Sequence, residues 1–488
     1  TGNIEGINLF SPKSARIIAG NDIGDVSLYL QNLSPSDVSL VSAGRDIILY
    51  NETTGTRVAS AASRNASTLL VADPLAGDIQ MAGPGQLQVL AGRQLDLGLG
   101  SSNADGTGSG ITSVGNGRNP FLRFNGADVT VGAGIGASAG LGQGNLDFGN
   151  FIKEFVLTEK GRGYLKKLAP QADFEALPQD EQERLALEIF YLTLRDTGRD
   201  FNDPDSDGYR EYKTGLQAIE SLFAKDAGWS GEILTQGRDI RTRSGGDIRI
   251  FAPGGGMAMA DTTIGNPLTP PGIVTESGGD ISVFTHEDVS IGIGRIFTLK
   301  GGDIVIWSSE GDIAAGSSSR TVSAAPPTRV IIDPQSGSVA TDLAGLATGG
   351  GIGVLASIKG VEPGDVDLIA PTGVIDAGDA GIRVSGNINL AAVLVVNAGN
   401  IAAGGSSTGT PSTAVSTPSV SAVTSAANAS AATTTSAAEQ PQKPAQQENV
   451  SEAALSIINV EVIGYGGGSS TDEEEDEEQA GQGDSASE

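Results

Sequence analysis

Three stretches of this chain superimpose: GGDIRIFAP from Gly245, GGDISVFTH from Gly278 and GGDIVIWSS from Gly301. Each is a Gly-Gly pair, an Asp, then alternating apolar and polar residues. Degenerate copies appear at Gly44–Ile47, Gly77–Ile79, Gly237–Ile240, Gly311–Ile313, Gly364–Val366, Gly386–Ile388 and Gly399–Ile401. A short strand-and-turn unit cannot bury its own apolar face, so it must stack on copies of itself. The pattern predicts a mainly β chain built as an elongated β-solenoid. It points toward attachment and display rather than catalysis.

Composition narrows the reading. Glycine is abundant, at 70 residues, but no Gly-X-Y period runs through the chain, which excludes collagen. Aromatic residues are few, and Val, Ile, Leu and Ala fill the strand-like runs, as a narrow core requires. The formal net charge of −29 would repel phosphate backbones, so no nucleic-acid partner is expected. There is no cysteine, which suits bacterial export as an unfolded chain. No apolar run is long enough to span a membrane, and no signal peptide is visible. Thr1 begins inside the repeat pattern, so the chain is expected to be part of a longer protein.

Residues 1–149 read as a first solenoid block, in which 37–41 and 86–90 alternate at period two. Residues 150–229 read as a helical insertion. Leu185, Ile189 and Leu192 form one stripe there, Leu187, Tyr191 and Leu194 a second, and Tyr212, Leu216, Ile219 and Phe223 a third. Residues 230–405 form a second block. A Ser/Thr/Ala/Pro-rich linker (406–450), a short apolar β segment (451–468) and an acidic disordered tail (469–488) complete the chain.

Few motifs carry chemistry. Asp203, Asp205 and Asp207, with Gly208 at the sixth position and Glu211 at the ninth, match the first half of a calcium loop. Thr214 stands where the bidentate Glu belongs, so only weak calcium binding is expected, and no other cofactor. The Asp of each repeat is expected to accept N–H bonds of its own turn. Gly134–Ala139 mimics a dinucleotide turn but lacks a βαβ setting. His286 is the only histidine, which leaves little material for His-zinc sites or Ser-His-Asp triads. Asp365/Asp367 and Asp376/Asp379 are available as a glycosidase pair, but neither stands apart from ordinary turn acids.

The repeats at 245–256, 278–284 and 301–307, with the closing segment 456–468 (SIINVEVIGYGGG), resemble the large exoproteins of the filamentous haemagglutinin family. The resemblance implies a right-handed parallel β-helix, secreted through an outer-membrane partner transporter and displayed as an adhesin that meets a host-cell or matrix glycan or protein receptor at the bacterial surface. That family's Asn-Pro-Asn secretion motifs are absent, and Asn119-Pro120-Phe121 does not match them. The resemblance therefore places this chain in the C-terminal part of a longer protein. A β-helix polysaccharide lyase or hydrolase and a purely structural stalk are the alternatives.

Two expectations concern geometry. At roughly 20 to 25 residues per coil and about 4.8 Å per coil, the rod should be on the order of 60 to 80 Å long. Period-two counting puts Ile248 and Ile250 inside and Phe251 outside, and likewise Phe284 and Trp307 outside. These three rings should form a ladder up one face. It is either covered, by the insertion or a long loop, or open as a stacking platform for a sugar or partner chain.

Overall fold

The computed structural model describes residues 2–50, 77–98, 108–260, 270–317, 322–323, 329–332, 339–342, 347–356 and 361–411. Two large sheets dominate, one of 18 strands and one of 10. The chain visits them in a cycle. A strand of the smaller sheet is followed by a long strand of the larger sheet, a turn, and a short strand of the larger sheet. Ser27–Gln31, Val38–Ala43 and Ile47–Ile48 make one such coil, and Arg295–Thr298, Ile304–Ser308 and Ile313–Ala314 another. Each strand pairs in parallel with its counterparts in neighbouring coils, as Ile250 does with Val283 and Val283 with Ile306. This is a parallel β-helix. Among the described residues the smaller sheet counts ten coils. At about 4.8 Å per coil they stack to roughly 45 Å, shorter than expected because excursions from the coils consume much of the chain.

The inward positions are aliphatic. Ile248, Ile281, Ile304, Val366 and Ile388 stack in register, and the core between the sheets contains no aromatic residue. β-Branched side chains fit a pleated surface, and among the described residues this narrow core is filled without rings.

The Gly-Gly-Asp unit is a corner. Gly245, Gly278 and Gly301 have φ of 80°, 87° and 72°, and Gly246, Gly279 and Gly302 have φ of 99°, 104° and 98°. All lie in the left-handed region that only glycine enters freely. Coils also meet closely here. A Cβ on Gly302 would sit 2.2 Å from the Gly279 carbonyl oxygen, and one on Gly279 equally close to that of Gly246. Thr242, Thr275 and Thr298 each donate a hydroxyl hydrogen bond to the second glycine's carbonyl, at 2.9, 2.9 and 3.1 Å. Gly302→Ala should therefore cost about 1–2 kcal/mol from the backbone conformation alone, and more from the clash. A thermal melt unchanged by this substitution would refute the corner's role.

The repeat Asp does not close its own turn. Its Oδ1 accepts the backbone N–H of the equivalent residue one coil further on. Asp247 N–H donates to Asp128 (3.1 Å), Asp280 to Asp247 (2.9 Å), Asp303 to Asp280 (2.8 Å), Asp365 to Asp303 (2.8 Å) and Asn387 to Asp365 (2.8 Å). Asn387 accepts in turn from Ser406 N–H at 2.9 Å. A second corner repeats the device with Asp46 on Asp22, Asp312 on Asp288 and Val374 on Asp312. The degenerate copies thus belong to more than one kind of corner. Partners in the first column lie 119, 33, 23, 62 and 22 residues apart. The 62-residue interval holds two antiparallel pairings, Val322–Ser323 with Ala347–Thr348 and Arg329–Ile332 with Val339–Asp342.

The longest interval holds the helices: α1 (Phe148–Phe151, running into a π turn over Ile152–Val156), α2 (Glu159–Leu168), α3 (Gln179–Asn202) and α4 (Lys213–Leu222). They do not divide the β-helix into two blocks. Leu95 pairs with Ile233 and Val129 with Ile248, so the ladders run straight past the insertion. Residues 406–411 continue the last coil through the strand Ser407–Thr408. The rest of the expected linker, segment 451–468 and tail 469–488 lie outside the described residues.

Candidate functional site

Phe251, Phe284 and Trp307 occupy one register line, continued by Ile369 and Ala391. The ladder is therefore real, and it is covered. Phe251 and Trp307 are completely buried and Phe284 nearly so, beneath α3 and α4, so the rings offer no stacking platform to a ligand. Phe190 of α3 meets Phe284 edge-on at 5.4 Å, Phe223 reaches Phe284 and Phe251 at 5.0 and 6.0 Å, and Tyr212 meets Trp307 at 6.1 Å. Tyr191 donates to the Ile250 carbonyl at 2.6 Å. These contacts form a second hydrophobic core outside the first, where most of the chain's scarce aromatics are spent.

α4 departs from the stripe read in its sequence. Leu216 is 41% exposed, and the buried face is Gly215, Ala218 and Leu222. The reason is distance. A Cβ on Gly215 would lie 2.6 Å from the Trp307 ring, and one on Gly198 of α3 would lie 2.4 Å from Ile369. Both helices rest their backbones on the ladder.

The charged groups line the edge of this interface. Arg249, in the outward line beside Phe251, is buried and binds Asp247, Glu188 and Asp128 at 2.7, 3.1 and 3.2 Å. Arg199 of α3 spans Asp367 (2.7 and 2.9 Å) and Asp365 (3.2 Å). Hydrogen bonds and charge from Asp367 and Asp365 hold its guanidinium firmly protonated. Burial by itself pushes Asp367 up. The bidentate geometry decides the matter, and we read the pair as ionised. Arg249 is held protonated by its three carboxylates in the same way, against its burial.

Between these arginines the carboxylate column is under-compensated. Burial, then the Asp247 carboxylate, push Asp280 up to about 7. The Asp280 side chain nonetheless remains exposed, so water screens part of that push, and its midpoint should fall between the ordinary carboxylate value and 7. Asp247 and Glu188 are raised by burial as well. A raised carboxyl favours the fold fully below its ordinary value and loses that contribution as pH climbs through the folded value. Stability should therefore decline as pH rises from about 4 to about 7. Asp280→Asn, which keeps the acceptor as Asn387 does, should flatten the decline. Denaturation midpoints that rise over this interval, or an unaltered slope in the variant, would contradict the assignment.

The Asp-rich turn keeps its carboxylates exposed and apart. Asp203, Asp205, Asp207 and Glu211 are all exposed, and among the described residues no three acidic or histidine side chains are grouped to hold a metal. Asp203 instead accepts from Asp205 N–H at 3.0 Å. Arg210, with φ of 62°, lays its guanidinium 5.0 Å from the Phe201 ring. Without a carboxylate at position 12, the turn closes on local hydrogen bonds.

What the turn does border is a cleft of about 450 Å³. The end of α3 and the turn after it supply one wall, with Arg199, Asn202 and Asp203. The last coils supply the other, with Asp365, Asn387, Asn389, Ser406 and Thr408. Asn202 Nδ2 crosses between the walls to Asn389 Oδ1 (2.9 Å) and the Leu390 carbonyl (2.8 Å). Sequence reading singled out Asp203, Asp365 and Asp367 from this group, but not as neighbours. Asn389 carried one available signal, a polar residue at an outward ladder position, whereas nothing marked Arg199 as the partner of Asp367.

Residues 301–412, which contain the whole coil wall of the cleft, match a family described as filamentous haemagglutinin family outer membrane protein. This stretch is similar to members of that family. It runs from the third Gly-Gly-Asp corner through the final strand Ser407–Thr408, and it includes Trp307. Arg199, Asn202 and Asp203 lie outside it, so the cleft joins the matched coils to the insertion. No curated protein and no solved structure matches the chain.

Proposed function

We propose that this chain is part of a secreted or cell-surface adhesin, exported by an outer-membrane partner transporter and attaching bacteria to host cells, surfaces or one another. The observation that carries this reading is the family segment at residues 301–412, built as coils of a parallel β-helix. The architecture supports it. Each coil needs only its neighbour to pair its backbone, so such a fold can grow coil by coil as the chain emerges from a pore. With no cysteine, no disulfide hinders passage. Among the described residues no helix is long and apolar enough to cross a membrane. The lyase or hydrolase alternative gains little from the cleft, because Asp365 and Asp367 are both engaged by Arg199.

The test is surface display and attachment. The protein should be protease-accessible on intact cells, and only when the partner transporter is present. Cells lacking it should adhere several-fold less to host-cell monolayers or abiotic surfaces. Undiminished attachment by the deletion strain, with the protein retained inside wild-type cells, would refute the reading.

A further inference from the structure

We propose that the cleft between the end of α3 and the last coils binds a neutral saccharide. This inference rests on the adhesive reading and names a chemistry for its receptor. The cleft volume of about 450 Å³ falls in the range of small-molecule sites, roughly 300–1,000 Å³. Its lining is polar. No aromatic side chain borders it, and two of its apolar members, Val366 and Ile388, are buried in the coil core. An apolar ligand would find nothing to cover.

Charge excludes a second class. Asp203, Asp365 and Asp367 face Arg199 alone, which leaves the cleft two charges negative (3 − 1 = 2). Sulfated, phosphorylated and uronate-rich chains should be repelled. What remains is a dense set of amide, hydroxyl and carboxylate groups, each able to accept or exchange hydrogen bonds with hydroxyls.

These groups are already positioned. Asn387 Oδ1 is held by Ser406 N–H and Oγ at 2.9 and 2.8 Å, and Asp365 Oδ1 by the Asn387 side chain at 3.0 Å. Arg199 is fixed by its bidentate contact with Asp367. Little ordering cost remains when a ligand enters. One group is left idle. Asn389 is 8% exposed, and its Nδ2 has no acceptor, although an unpaired buried donor costs about 1–3 kcal/mol. That Nδ2 is enclosed beside Gly198, so a ligand would meet it only if the Asn389 side chain turned toward the cleft.

The experiment uses the full chain and a panel of neutral trisaccharides of glucose, galactose and N-acetylglucosamine, with a sulfated oligosaccharide as control. Binding is read by saturation-transfer NMR and calorimetry. At least one neutral trisaccharide should bind saturably, and the sulfated one more weakly. Asp203→Ala, at an exposed position, should weaken binding about threefold. Asn202→Ala should weaken it tenfold or more. Asp203→Ala should keep the wild-type melting profile, whereas Asn202→Ala, which removes two bonds between the walls, should melt somewhat lower and is read at a temperature where it remains folded. The inference fails if no neutral sugar binds, if the sulfated control binds best, or if both variants bind as wild type does. Failure here with attachment intact would leave the adhesive reading standing and move its receptor site elsewhere. Loss of attachment dependence in the deletion strain would instead remove the adhesive reading itself.

Discussion

Trp307→Ala is expected to destabilise the protein by about 3–5 kcal/mol, the range for deleting a large buried ring. Trp307 is fully buried, lies against the α4 backbone at Gly215, meets Tyr212, and donates from Nε1 to Ser309 Oγ at 3.1 Å. Its loss opens a cavity where the insertion rests on the ladder. Denaturant unfolding of both proteins measures the cost. A double-variant cycle isolates the contact, because Gly215→Ala should destabilise the wild type by collision with the ring and be tolerated once the ring is gone. If Trp307→Ala costs under about 1 kcal/mol, or if the two substitutions are additive, the helices do not depend on the ladder as described.

Arg199→Ala should also destabilise the protein, for a different reason. Asp367 is fully buried and has its charge answered chiefly by this guanidinium. Removing one partner of a fully buried pair costs about 3–5 kcal/mol, chiefly because the remaining charge is stranded; Arg199 is itself 39% exposed and Arg195 also lowers Asp367, so the cost should fall at or below the lower end of that range. The discriminating measurement is the rescue. Asp367→Asn should recover much of the stability in the Arg199→Ala background, since an amide needs no counter-charge. A double variant as unstable as the single one would mean that Arg199 acts by packing its stem, not by its charge. The same variants report on the pH trend, because the carboxylates between Arg249 and Arg199 lose part of their compensation when Arg199 is removed.

Much of the β-helix was legible in the residues. The Gly-Gly-Asp units announced corners because two successive left-handed residues leave almost no choice but glycine. The alternation after each Asp told which side chains face in, since the strand period is two regardless of context. The aromatic ladder followed from the same count, and so did the existence of helices between residues 148 and 227. Two of the misses share one cause, a partner far away in sequence. The Asp of the repeat was assigned to its own turn, but it serves the next coil, up to 119 residues distant. The insertion was taken to divide two blocks, but the strands on either side of it pair directly.

The chain's own sequence thus determined the coil: where it turns, which residues fill it, and which rings point outward. These are local matters, settled by φ preferences and by period. Only the tertiary structure decided what the outward ladder meets. α4 turns Leu216 outward and buries Gly215, Ala218 and Leu222 beside Phe223 because Trp307 occupies the space a side chain would need. Arg199 becomes the counter-charge of Asp367 because α3 runs along the ladder, and the cleft exists because α3 ends beside the last coils. Packing and desolvation act between surfaces, and no spacing within one segment records which surface will arrive opposite it.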